Sequence, residues 1–138
     1  MRLLAYWERQ RGDRSFPALA DIDSATIGDM WPWCLILDTV NGRDFPCFSY
    51  LGPMLARYSG IFLSGKTDWT HTLLDKSVQR FRETLEHRAP VLIEDELALY
   101  DGRRLLFRSI LLPLSDDGQV IDHVLGAANG KLVDGTVD

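Results

Sequence analysis

Apolar and polar positions change rhythm several times along this chain. Residues 1–11 follow a helical period: Leu3, Leu4 and Trp7 share one face, while Arg2, Glu8, Arg9 and Arg11 lie elsewhere. A helix over Met1–Arg11 is predicted, closed by Gly12. Periodicity is lost over Arg14–Ala20, around Pro17. A second, short helix is predicted from Asp23, a good N-cap, with Ile22 and Ile27 at hydrophobic-staple spacing. Pro32 disfavours helical geometry at Trp31 and ends it.

From Trp33 the period becomes two. Trp33–Val40 is apolar on both faces, which predicts a central strand covered on both sides. Asn41-Gly42 can take the positive φ of a tight turn, and Phe45–Leu51 is the returning arm. Pro46 cannot donate to a ladder, so this arm belongs at a sheet edge. Gly52-Pro53 breaks the strand, Met54–Tyr58 is one helical turn, and Ser59–Thr70 reads as a loop around Gly60 and Gly65. Thr72–Arg88 carries Leu74, Val78, Phe81 and Leu85 as one helical stripe, stopped by Pro90. Three apolar runs follow: Val91–Tyr100, Arg103–Leu114 and Gln119–Ala128. Asp101-Gly102 and Ser115–Gly118 separate them, which predicts an antiparallel meander. Gly130–Asp138 is polar and expected to fray.

Composition narrows the class. A chain of 138 residues with 46% hydrophobic and 25% charged residues suits one globular domain with its own core. The expected division is a helical lead-in over residues 1–32, a core over 33–128 and a tail over 129–138. Net charge of −5 argues against a nucleic-acid or anionic-membrane surface. No apolar run approaches the ~20 residues of a membrane span, and Leu3-Leu4-Ala5 is too short for a leader core, so a cytoplasmic protein is expected. Cys34 and Cys47 lack metal spacing and fall on the two hairpin arms. They read as small buried apolar residues in a reducing compartment.

Candidate chemistry is sparse. Glu94, Asp95 and Glu96 are divided between two faces by strand alternation and read as a solvated sheet edge. His71 and His87 flank the long helix, and neither they nor His123 sits on an apolar helix face, so a haem ligand is not expected. Arg9, Arg11, Arg14, Arg103 and Arg104 read as solvated or paired. Arg108 differs, because it interrupts an apolar strand and needs a partner or a ligand. Asp38 and Asp122 are the mid-strand acids that an enzyme would use, yet neither has an evident partner.

The ordered set of motifs goes further. LLAYWERQRG, the Phe16–Asp23 segment FPALADID, WPWCLILD (Trp31–Asp38), FSYLG (Phe48–Gly52), the Gly60–Gly65 loop with SGKT (Ser64–Thr67), and Leu111–Gly118 together resemble a bacterial family of stand-alone PAS-like proteins. The likeness runs from residue 3 to about 128. It implies an α+β fold with a five-stranded antiparallel sheet in the order 2-1-5-4-3, helices on one face and an N-terminal helix. The hairpin's first arm would be central, its second arm one edge and Val91–Tyr100 the other. It also implies a sensory or protein-interaction domain that binds a signalling partner, with no kinase, cyclase or DNA-binding segment in this length. The Asn-Cys-Arg-Phe motif of flavin-binding members is missing, so flavin is not expected either.

A ligand pocket, if used, would lie between the concave sheet face and Met54–Leu85. It would be lined by Phe48, Tyr50, Tyr58, Phe62, Trp69, Phe81, Phe107 and Arg108, residues that would otherwise simply fill the core. Leu3, Leu4 and Trp7 would pair two copies as a homodimer or pack on the sheet. The alternative function is a small cone-shaped α+β enzyme or a carrier for an apolar molecule.

Overall fold

A computed structural model describes residues 2–40, 47–61, 63–64, 71–72, 80–98 and 102–133. Helix α1 spans Arg2–Arg11 and closes at Gly12, whose φ of 60° is the left-handed geometry that glycine adopts without steric penalty. Asp23 caps α2 (Ser24–Ile27), its carboxylate accepting from Ala25 N at 3.2 Å. Pro32 does not end the helical region as expected. The chain changes hand at Gly28 (φ 69°) and continues as a 3-10 helix, Gly28–Trp33, with Pro32 inside it. The tighter winding of that helix moves hydrogen bonding to i→i+3 partners.

Strand β1 (Cys34–Asp38) is buried at every position but its last, as two apolar faces require. Strand β2 (Phe48–Leu51) pairs with it; the Asn41-Gly42 turn and Pro46 lie outside the described residues. Helix α3 (Pro53–Ile61) starts on Pro53, which suits a first helical position, and runs past the single turn expected. A short ladder not expected joins the predicted loop to the residues after it: β3 (Leu63–Ser64) pairs with β4 (His71–Thr72), so Thr72 is extended rather than helical. Of the predicted long helix, α4 (Phe81–His87) is described, and it ends at Arg88 in left-handed geometry; Leu74 and Val78 lie outside the described residues.

Strands β5 (Val91–Ala98), β6 (Arg104–Leu114) and β7 (His123–Val133) complete an antiparallel five-stranded sheet in the order β2-β1-β7-β6-β5. Setting aside the β3–β4 ladder, this is the expected order 2-1-5-4-3, with β1 and β7 inside and β2 and β5 at the edges. Strand β7 starts and ends later than expected, so the supposed frayed tail is strand as far as Val133. Register explains the shift: β6 offers partners from Leu114, opposite His123, to Arg104, opposite Val133. Residues 119 and 120 are consumed by the turn, where the Asp117 carboxylate accepts their N–H groups at 2.8 and 2.9 Å.

Pairing sorts the sheet into two faces. Leu105, Phe107, Ser109 and Leu111 of β6 share one face with Ile93, Ala128 and Leu35, all buried, and α4 packs over β6 on that side. Arg104, Leu106, Arg108, Ile110 and Leu112 share the other with Leu92, Ala127 and Cys34. There burial changes halfway: Ile110, Leu112, Ala127 and Cys34 are covered, whereas Leu92, Leu106 and Arg108 are exposed. The lead-in is the cover. Leu3 and Trp7 join the core, and the Trp7 indole donates to the Pro113 carbonyl at 2.8 Å. Hence Leu3 (1% exposed) and Trp7 (5%) do not present a pairing surface to a second copy. Their apolar area is already spent on this chain's sheet, and Leu4 alone of the three stays half-exposed.

Candidate functional site

Strand alternation separates residues that the sequence reading had grouped. Phe107 and Arg108 are neighbours in β6 and therefore point to opposite faces. Phe107, with Phe81 of α4, is buried in the helix-covered face; Arg108 stands on the other. Tyr50 stacks on Trp31 with ring centroids 4.2 Å apart, and its hydroxyl donates to the Trp31 carbonyl at 3.0 Å. Burial pushes that phenol upward. Tyr50 thus locks β2 to the lead-in instead of lining a pocket with Phe81. Phe48 is 38% exposed at the sheet edge. Phe62, Trp69 and the Tyr58 side chain lie outside the described residues.

Arg108 has the partner its position called for. Glu94 is directly opposite on β5, and the guanidinium meets its carboxylate at 2.6 Å. Both side chains are about two-thirds exposed, at 64% and 67%, so solvent screens the pair and it adds little to stability. A second bridge, Arg104 to Glu96 at 3.1 Å, lies further along the same two strands. The predicted acidic edge is therefore half of a cross-strand charge lattice. Arg108 also borders three adjoining depressions. One, of about 300 Å³, runs beneath Asp29, Met30 and Trp33 to Ala127 and Asn129. The others, of about 480 and 270 Å³, extend over Leu106 and over Leu92. A separate cavity of about 440 Å³ lies between α1 and the α2 region, lined by Tyr6, Arg9, Ile27 and Asp29.

The remaining candidates have structural duties. Arg11 lies over the Trp7 ring, 5.5 Å from its centroid. Arg14 bridges to Asp21 at 2.8 Å. The Asp21 carboxyl is held below its ordinary value, first by the Ala18 N–H and then by Arg14. Asp122 uses one oxygen for Asp116 N and the other for His123 Nδ1, at 2.8 and 2.7 Å. Asp38 accepts from Val40 N at 3.0 Å, His87 is exposed at the end of α4, and the His71 side chain lies outside the described residues. Cys34 is buried beneath Met30, its thiol pushed up to about 12 by desolvation; Cys47 is exposed, contrary to the expectation for both cysteines.

Two residues escaped the sequence reading. Thr84 and Ser109 are buried hydroxyls on the helix-covered face. A signal for each exists: Thr84 is one turn beyond Phe81, and Ser109 interrupts the alternate stripe Leu105, Phe107, Leu111.

The sheet order, the helices over one face and the helical lead-in over the other define a PAS-like α+β fold. A family model described as a PAS domain matches residues 1–129, and the chain belongs to that family. No curated protein matches it. Among the described residues, no helix is long and apolar enough to cross a membrane. The chain is thus a PAS-type sensory or interaction domain.

Proposed function

We propose that this domain works by binding rather than by catalysis, docking a cytoplasmic signalling protein on the bare half of its outer sheet face. A small ligand on the helix-covered face would adjust that surface from the other side of the same strands. One observation carries the reading. Leu92 and Leu106, 50% and 40% exposed, flank the Arg108–Glu94 pair on the part of the face that the lead-in leaves uncovered. Apolar area rimmed by charge, beside a groove walled by Trp33, is the composition of a recognition surface. Because α1 spends Leu3 and Trp7 internally, a homodimer would also use this face rather than that helix.

The test compares the native protein with a Leu92→Asp/Leu106→Asp variant, by affinity capture from its own cells and by sedimentation. Partners or self-association should be lost with the thermal midpoint nearly unchanged, because both side chains are already in water. Equal capture and equal association by the two proteins would overturn the reading.

A further inference from the structure

The helical lead-in carries a cavity of its own. It measures about 440 Å³ and lies between α1 and the turn from α2 into the 3-10 helix. None of its lining residues belongs to the sheet or to α4, so it is apart from the helix-covered face. Tyr6 holds its two walls together. The phenol donates to the Asp21 carbonyl at 3.2 Å and accepts from Asp23 N at 2.7 Å, which ties the cap of α2 to α1. Beyond α2 the chain changes hand at Gly28, and a Cβ there would meet nothing within 4 Å, so the space beside it is unfilled. The floor is apolar: Leu3, Tyr6 and Ile27 are all buried.

Charge gives this cavity a polarity. Arg9, Arg11 and Arg14 follow one another on α1 and just past its end. Two of them serve the fold: Arg11 lies over the Trp7 ring, and Arg14 bridges to Asp21. Arg9 borders the cavity, and among the described residues its guanidinium has neither an ion pair nor a hydrogen bond. Two carboxylates of the lead-in are committed elsewhere. Asp21 accepts from Arg14 and Ala18 N, and Asp23 from Ala25 N and the Thr26 hydroxyl. The cavity thus joins a permanently charged, unpaired fork of donors to a buried apolar floor.

We infer that the cavity between α1 and α2 binds a small organic monocarboxylate, with Arg9 taking the carboxylate and Leu3, Tyr6 and Ile27 holding its apolar chain. Guanidinium and carboxylate match in geometry and charge, which makes Arg9 the anchor. Asp29 also lines the cavity and would repel a second negative charge, so the guest is a monoanion. A volume of about 440 Å³ is within the range of small-molecule sites.

Three probes of one length test it: hexanoate, hexanamide and adipate, titrated into the labelled full chain and followed by amide chemical shifts. Hexanoate should saturably move Tyr6, Ile27 and Gly28. Hexanamide, which is neutral, should bind about tenfold weaker, and adipate, with its second carboxylate, no tighter than hexanamide. Arg9→Gln should bring hexanoate to the hexanamide level and leave hexanamide unchanged, whereas Arg9→Lys, which keeps the charge, should retain the preference. Ala5→Leu, which fills the cavity from an exposed helix position, should abolish the response to all three. Equal affinity for hexanoate and hexanamide, adipate binding as tightly as hexanoate, hexanoate affinity unchanged in Arg9→Gln, undiminished binding in Ala5→Leu, or no response to any probe would overturn the assignment.

Discussion

Gly52 sits against the backbone of Pro32: a Cβ at residue 52 would stand 2.2 Å from the Pro32 carbonyl oxygen and 2.7 Å from that of Cys34. Gly52 N donates to the same Cys34 carbonyl at 2.8 Å, so the end of β2 is pinned to the first residue of β1, just where the 3-10 helix enters it. Every atom in the way is main chain and cannot turn aside as a side chain could. Gly52→Ala should therefore destabilise by about 3 kcal/mol, the upper range for overpacking, read from the urea midpoint. A change under ~0.5 kcal/mol would show that the two segments separate easily.

Trp7→Phe keeps most of the buried ring but removes the N–H that reaches Pro113. The Pro113 carbonyl is then buried without that donor, and a loss of about 1–3 kcal/mol is expected in chemical denaturation. The same substitution should leave partner capture intact, since Trp7 is covered by its own chain. An unchanged stability with lost association would restore α1 as an interface.

The two cysteines should separate cleanly in a thiol-labelling experiment. Cys47 is exposed and should react at once; Cys34 is buried, with its thiol pushed up to about 12, and should react only after unfolding. One fast equivalent in native buffer, carried by Cys47 and lost in Cys47→Ser, is the expected result. Two fast equivalents would mean that the Met30–Cys34 contact opens readily.

Acid should weaken the fold through two carboxylates. Asp117 is held below its ordinary value by the Val120 and Gln119 N–H groups, and Asp21 by the Ala18 N–H and Arg14. A carboxyl depressed in the folded state contributes stability that is complete above its unfolded value near ~3.9 and is lost as pH falls through the folded value. Thermal midpoints should decline below about pH 4, and Asp117→Asn should be less stable at pH 7 with a shallower decline. A variant that keeps the full acid slope would remove Asp117 from the account.

The strands were readable because alternation and turn residues are local signals. Trp33–Val40 announced a doubly covered strand, and β1 is buried along its length. Asp101-Gly102 and Ser115–Gly118 announced the meander, although β7 took its end points from the length of β6 rather than from its own polarity. The β3–β4 ladder was not legible, because two-residue strands leave no period. At the candidate site, Arg108 stood out as a charge needing a partner, and Glu94 answers it. Its grouping with Phe81 and Phe107 ignored the alternation that sends Arg108 to the other face.

What local chemistry could dictate, it did: the five strands of the main sheet, their order along the chain, which lie at the edge and which inside, and the family to which the chain belongs. Coverage was a different matter. Whether Leu3 and Trp7 meet a second copy or their own sheet, whether half a face stays bare around Arg108, and whether Thr84 and Ser109 find partners all depend on segments distant in sequence. Such contacts arise between apolar surfaces without directional preference, so no window of neighbouring residues encodes which one a given side chain will meet.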